Sequence, residues 1–470
     1  MVFSSSLFVF LFFPITFILY YTANKTGKII YINTILLFAS VLFYMWGGIK
    51  YFLILFAVIL MNYLLSIIMV KYESYKKIIF ILILAIDLGN LFYFKYFNFF
   101  IDNIQNAGNY IGINVFSEVA VVALPIGISF YTFQIISYVA DVYIGKVKVQ
   151  RNFLNLSLYV IMFPQLIAGP IVRYKDVAEE INSRTIQMND IEEGIKRFII
   201  GFSKKVFIAN TMGNMADTVF AMDGAVNTLY AWLGAICYSM QIYYDFSAYS
   251  DMAIGIGRMF GFHFIENFDL PYRSKDIQEF WRRWHISLSS WFRDYVYIPL
   301  GGNRKGIFRT YFNLSVVFLL TGFWHGAAWQ FVVWGIYHGF FSVLERIGLN
   351  KILKKTPKLF RHIYTMVIVV VGWVFFRADN LGKAFRFLRN MFLINLSGFK
   401  NYLIVEQFTS IFWICFFISI IFSVTQIDLS TRIKIWKNNT FVRIRYLLLW
   451  VISILYLIGL SYNPFIYFKF

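Results

Sequence analysis

The chain has 470 residues, 59% of them hydrophobic, 21% aromatic and only 14% charged. A soluble domain runs near a quarter charged, so this composition predicts an integral membrane protein rather than a large globular core. Basic residues outnumber acidic ones 43 to 24, a net charge of +19. They lie mostly in short connections between apolar runs, as anionic headgroups and the positive-inside rule require, which argues for membrane lipids and against nucleic acid as the partner of this charge.

The first apolar run, Leu7 to Tyr21, has no basic residue before it and no small-residue cleavage site after it. It is expected to be a retained span, not a signal peptide. Met1-Val2 offers no myristoylation site and Lys469-Phe470 no prenylation box, so spanning is expected rather than lipid anchoring. Runs of spanning length fall near 7–23, 29–47, 51–70, 78–94, 226–246, 311–324, 327–345, 363–376, 407–425 and 445–462. Lys25 and Lys28 follow the first run, only Lys50 the second, and Lys71, Lys76 and Lys77 the third. That alternation predicts an extracytoplasmic N-terminus. Beyond residue 120 loop parity assigns no side.

Leu124-Pro125-Ile126-Gly127 and Phe163-Pro164-Gln165-Leu166-Ile167-Ala168-Gly169-Pro170 interrupt stretches otherwise long enough to cross. Such breaks are tolerated at membrane depth only where the freed backbone faces protein or a water-filled cavity. They predict re-entrant or broken helices around a central cavity. Residues 189–210 predict an interfacial helix capped by Asn189-Asp190, with Glu192–Lys196 and Glu193–Arg197 pairs. Residues 276–292 predict another, opened by Asp276 and Glu279, with Ile277, Phe280, Trp281, Trp284, Leu288 and Trp291 in one stripe. The fold expected is therefore all-α and polytopic, about 10–13 transmembrane helices with re-entrant and interfacial helices, in one domain over 1–470. Cys237 and Cys415 each lie inside an apolar run, so neither a disulfide framework nor a metal site follows.

Two histidines are where the chemistry is expected, although spacing alone would equally allow His325 to be a satisfied interior residue. His325 lies in Thr321-Gly322-Phe323-Trp324-His325-Gly326-Ala327-Ala328-Trp329, among small residues and tryptophans inside an apolar segment. An ionisable group there is costly, and imidazole suits proton transfer near neutral pH. Gly322 and Gly326 either clear space beside the imidazole or pack two helices closely; spacing leaves both readings open. His285 ends Trp281-Arg282-Arg283-Trp284-His285 in the longest polar connection of the central region. His263 and His362 read as structural or interfacial residues. His338, thirteen residues after His325, would lie on another face of a common helix and reads as a hydrogen-bonded core residue. Arg282, Arg283 and Arg304, within a wider basic cluster, fit either the phosphates of a nucleotide-bearing donor or a positive cytoplasmic face. Asp245 and Asp251 are expected to pair with nearby arginines or cap a helix. Gly255-Ile256-Gly257-Arg258-Met259-Phe260-Gly261 lacks the context of a dinucleotide fingerprint, and Gly127-Ile128-Ser129-Phe130-Tyr131 lacks the last glycine of a nucleophile elbow.

The chain resembles the membrane-bound O-acyltransferase superfamily, in its bacterial alginate O-acetyltransferase branch. Met1–Ser5, Leu124–Gln134, Phe163–Ile171, Tyr243–Ala253, Phe280–Ser289, Pro299–Arg304, Gly322–Ala327 and Phe465–Phe468 carry the resemblance in order. It implies an enzyme that takes an acyl group from a cytoplasmic thioester such as acetyl-CoA and delivers it across the bacterial cell membrane, for O-acetylation of a cell-surface polysaccharide. It further implies His325 as the essential histidine, His285 as the second active-site position, an extracytoplasmic O-acetyltransferase partner, and no bound cofactor or metal. Thioester acyl transfer needs a proton acceptor or transient nucleophile, which imidazole supplies. It also needs donors to a developing oxyanion, for which Trp324, Trp329 and a protonated His285 are candidates. The rival class is a transporter or flippase of an acyl donor or lipid-linked sugar; no inverted repeat supports it.

Overall fold

The computed structural model describes residues 1–113, 115, 119–166, 169–222, 226–395, 401–425 and 439–459. Every regular element among them is a helix. Five helices are long and apolar enough to cross a membrane: Ile49–Lys71, Glu73–Tyr110, Ile307–His325, Lys358–Arg377 and Thr440–Ile458. Shorter apolar helices cover Phe8–Asn24, Ile29–Met45 and Ser410–Val424. The protein is thus an all-α, multi-pass membrane protein, because only helices satisfy lipid-exposed backbone within one segment. The predicted runs at 226–246 and 327–345 are also helical over most of their length, from Thr228 in Thr228–Met259 and from Trp329 in Trp329–Leu344. The run at 445–462 is helical to Ile458; residues 460–462 and the Phe465–Phe468 motif lie outside the described residues.

The described chain clusters into two compact units. The first comprises Met1–Gly194 and Ile256–Ile265. It holds α1 (Phe13–Asn24), α2 (Ile29–Met45), α3 (Ile49–Lys71), α4 (Lys76–Leu91), α5 (Phe97–Tyr110), α6 (Ile128–Tyr143), α7 (Phe153–Ile161), α8 (Phe163–Leu166), α9 (Tyr174–Asn182) and the start of α10 (Met188–Ser203). Both predicted breaks are present where the chain is described. Leu124–Gly127 is non-helical, and Gly127 enters α6 at φ 75°, with the Leu166 carbonyl 2.9 Å from where a Cβ would stand. Only glycine fits both demands. Helix α7 stops at Ile161 and α8 lasts four residues; Ile167 and Ala168 lie outside the described residues. The Ser40 hydroxyl accepts from the Phe163 amide at 3.1 Å, satisfying a group freed by that break.

Asn189-Asp190 does not cap α10, which already begins at Met188. The Asp190 carboxylate instead meets His263 Nε2 and Arg258 Nε, each at 3.3 Å. His263 Nδ1 lies 2.8 Å from Glu180. His263 is therefore part of an ionic cluster that ties α9, α10 and the residues after Met259.

The second unit comprises Ile195–Gly255 and Glu266–Phe470. Its elements are α11 (Asn210–Phe220), most of α12 (Thr228–Met259), α13 (Ile277–Arg283), α14 (Ile286–Phe292), α15 (Ile307–His325), α16 (Trp329–Leu344), α17 (Asn350–Leu353), α18 (Lys358–Arg377), α19 (Leu381–Phe392), α20 (Tyr402–Val405), α21 (Ser410–Val424) and α22 (Asn439–Ile458). A π-helical run, Lys204–Ala209, joins α10 to α11, so the predicted 189–210 helix continues to Phe220. The carboxylates of α12 are paired, as expected, though mainly with lysines. Asp251 meets Arg197 at 2.6 Å and Lys204 at 2.7 Å, and Asp245 meets Lys205 at 2.8 Å. The core around them is aromatic: Trp334, Trp373, Tyr238, Tyr244 and Tyr272 are all fully buried.

Candidate active site

The 276–292 helix is not continuous. It breaks at Trp284-His285 into α13 and α14. Its start is as the residues suggested: Asp276 accepts from the Glu279 amide at 2.7 Å, and Glu279 accepts from the Lys275 amide at 3.0 Å. Buried Glu345 adds a second carboxylate, accepting from Ile277 N at 2.7 Å and Gln278 N at 3.2 Å. Two carboxylates thus satisfy the orphan amides of α13 and complement its dipole.

At the break His285 adopts φ 45°, ψ 55°, the left-handed region that a side chain with a Cβ disfavours. Such a residue costs about 1–3 kcal/mol and persists only where its surroundings hold it. Here Asn267 does so. Its carbonyl accepts from Ile286 N at 2.9 Å, and its Oδ1 accepts from Ser287 N at 3.2 Å and Ser287 Oγ at 2.8 Å. The same Oδ1 lies 3.1 Å from His285 Nδ1. Asn267 Nδ2 donates to Ser250 of α12 at 3.0 Å, anchoring the loop to that helix. The His285 ring is 1% exposed and packs on Phe246, Phe268 and Trp324, with centroids 4.6, 6.4 and 5.8 Å away. Burial pushes its pKa down, to about 3, so the imidazole is neutral. A resting, protonated His285 does not fit this environment.

His325 is the last residue of α15 and is 5% exposed. Its ring packs edge-on against Trp324, Trp334 of α16 and Phe376 of α18, with centroids 5.0, 5.1 and 5.0 Å away. The structure therefore brings both imidazoles onto one indole, that of Trp324, although forty residues separate them in the chain.

Of the two readings of the glycines, close packing is the one seen. A Cβ on Gly322 would collide with the Phe331 carbonyl, and one on Gly335 would stand 2.5 Å from the Phe318 carbonyl. A Cβ on Gly326 would collide with the Phe331 ring. The glycines let α15 and α16 pack backbone to backbone after a three-residue connection, Gly326–Ala328. That connection also removes the common helix assumed for His325 and His338. Trp334 of α16 contacts both rings, His338 at 5.1 Å. His338 is fully buried, yet neither ring nitrogen has a hydrogen-bond partner among the described residues. It is a core residue, but held by aromatic rings and by the space Gly372 leaves beside its Nε2. His362 Nδ1 lies 3.1 Å from the Ser274 carbonyl.

The remaining candidates part company. Trp329 opens α16 with 52% of its surface exposed. Arg283 is bound by Asp269, and by Glu279 at 3.0 Å. Arg282 and Arg304 are exposed and form no ion pair among the described residues. Arg304 follows a turn that Asn313 of α15 holds by donating to the Gly302 carbonyl at 2.9 Å. Asn267 escaped the sequence reading, since Glu266-Asn267-Phe268-Asp269 offers neither periodicity nor motif.

Two buried imidazoles flanking one indole, that of His285 neutral, suit proton transfer or nucleophilic catalysis. The model of the membrane-bound O-acyltransferase family, MBOAT, matches residues 146–382, which include both histidines. A probable alginate O-acetylase, AlgI, of Pseudomonas putida is 42% identical, with 100% of each chain covered. The chain belongs to the membrane-bound O-acyltransferase family. It is an acyltransferase. This O-acyltransferase is also similar to a peptidoglycan O-acetyltransferase of Helicobacter pylori, at 36% identity over 84% of this chain and 80% of the relative. A teichoic acid D-alanyltransferase of Bacillus subtilis is 33% identical over 45% of this chain and 56% of its own.

Proposed function

We propose that this O-acyltransferase passes an acetyl group from a cytoplasmic thioester, acetyl-CoA or a close analogue, across a bacterial cytoplasmic membrane for O-acetylation of a cell-surface polysaccharide. The observation that carries the reading is the meeting of His285 and His325 on Trp324, within the residues that match the family. The full-length relative named as an alginate O-acetylase supports acetyl as the group and a polysaccharide as the acceptor.

In this reading the histidine pair takes the proton of the incoming nucleophile as its oxygen bonds to the acyl carbon. The C–S bond of the donor then breaks, and the proton passes to the departing thiolate. The Trp324 indole, and Trp329 at the start of α16, are the proposed donors near the developing oxyanion. Arg282 and Arg304 are the proposed contacts for donor phosphates, because they remain exposed cations while Arg283 is already neutralised. An extracytoplasmic O-acetyltransferase partner completes delivery to the polymer, and the N-terminus faces outside. We read residues 1–470 as one functional domain, since the family match includes parts of both compact units.

The test uses purified protein in vesicles with radiolabelled acetyl-CoA. Labelled acetyl should leave CoA for an acceptor with the wild type and stay on CoA with His325→Ala. Transport of intact donor without transfer would overturn the reading in favour of a carrier.

A further inference from the structure

We propose that Asn267 is a positioning residue that fixes His285 as the Nδ1–H tautomer, so that its Nε2 enters the reaction as a proton acceptor and not as an oxyanion donor. The proposal deepens the histidine-pair reading above, and rests on it only for the use made of Nε2.

The hydrogen bonds around Asn267 fix its amide orientation. A backbone N–H can only donate, so the Asn267 atom facing Ser287 N at 3.2 Å is the oxygen. The amide nitrogen is then free to donate to Ser250 Oγ at 3.0 Å, which it does. A flipped amide would set donor against donor at Ser287. The oxygen so identified lies 3.1 Å from His285 Nδ1. An amide oxygen cannot donate, so a neutral imidazole makes that bond only with its proton on Nδ1. The Ser287 hydroxyl, 2.8 Å from the same oxygen, directs its own proton there. It then offers a lone pair to Nδ1 at 3.4 Å.

The lone pair of His285 is thereby left on Nε2. That atom is buried and has no hydrogen-bond partner among the described residues. The neighbours of the ring are Phe246 on α12, Phe268, Trp324 on α15, Asn267 and Ser287. None carries a charge, and the nearest titratable ring across Trp324 is His325. A proton arriving at Nε2 creates an imidazolium whose Nδ1–H already points at the Asn267 oxygen dipole. The same proton later leaves with the departing thiolate, so the residue returns to its starting tautomer.

The experiment is solid-state NMR of the full chain in lipid bilayers with 13C,15N-labelled histidine, the His285 signals assigned by their loss in His285→Gln. At neutral pH the nitrogen bonded to Cγ should be protonated and the nitrogen bonded to Cδ2 should not. Asn267→Leu should redistribute the tautomers and lower kcat about 10- to 100-fold, as loss of a partner that orients a histidine does. Asn267→Asp keeps the acceptor, so it should keep the tautomer. Its charge should also move the acid limb of kcat to higher pH. Wild-type protein protonated at Nε2 overturns the proposal. So does an Asn267→Leu protein that loses activity while its His285 signals are unchanged, or an Asn267→Asp protein with an unmoved acid limb. Failure of acetyl transfer by the wild type would sink the proposed function and leave the tautomer result standing.

Discussion

Lys205 and Asp245 form an ion pair 2.8 Å long whose side chains are only 4% and 1% exposed. Lys205 stands in the π-helical Lys204–Ala209 run, beside Lys204, which binds Asp251 at 2.7 Å. Two adjacent lysines thus serve two carboxylates six residues apart on α12. Removing one member of the buried pair should leave an uncompensated charge at a cost of about 3–5 kcal/mol. Lys205→Met and Asp245→Leu should each lower thermal stability in detergent more than the double variant does. Equal or additive losses across the cycle would show that the pair does not hold α12.

His325→Ala should abolish acyl transfer, by about 10²–10⁴-fold, while expression and membrane insertion persist. The ring lies among Trp324, Trp334 and Phe376, where loss of an imidazole leaves aromatic packing in place. Near-normal polymer acetylation by a well-expressed variant would remove His325 from the mechanism.

The three arginines should behave differently. Arg282→Ala and Arg304→Ala should raise the apparent KM for the thioester with little change in kcat, the signature of lost uniform binding. Arg283→Ala instead strips the counterion from Asp269 and Glu279 and should act through stability. Titrations of the donor at fixed acceptor separate these outcomes, and an unchanged KM in both Arg282→Ala and Arg304→Ala leaves those cations a topological role.

A side chain at Gly322 or Gly335 should be costly, because each would strike a carbonyl of the facing helix. Gly335→Val is expected to destabilise by about 1–3 kcal/mol or more through overpacking, read as a fall in melting temperature. A variant of wild-type stability would mean that α15 and α16 separate freely.

Burial opposes protonation of His263, but hydrogen bonds to Glu180 and Asp190, and their charge, outweigh it and raise its pKa. A raised folded pKa gives stability that is complete below the ordinary imidazole pKa, about 6.5, and is lost as pH rises through the folded value. The side chain is 51% exposed, so screening keeps the effect small, about 1 kcal/mol or less. The stability gap between wild type and His263→Gln should therefore be widest at acid pH, above the range where Glu180 and Asp190 protonate, and should close toward alkaline pH. A gap independent of pH would show that the ring contributes packing alone.

Membrane class and helical content are legible because long apolar runs leave a local trace; the two histidines stand out in sequence because lipid makes an ionisable residue costly, and their catalytic role belongs to the proposed function. The 276–292 stripe also looked continuous, since Trp284 and Leu288 keep helical spacing. What breaks it is Asn267, eighteen residues upstream, whose bonds outweigh the local preference. The roles of Gly322 and Gly326 were undecided in sequence because clearing space and packing closely demand the same residues; only the partner, Phe331, distinguishes them. His338 lies beyond the Gly326–Ala328 connection, so helical spacing counted from His325 does not place its face.

The two imidazoles rest on separate mounts. His285 belongs to a loop tied through Asn267 to Ser250 of α12, and His325 to the tip of the glycine-packed α15–α16 hairpin. The gap between them is a clearance between two parts of the frame, with Trp324 as its gauge. Substitutions along the hairpin seam should change that clearance by moving His325, while the mount of His285 stays as it is.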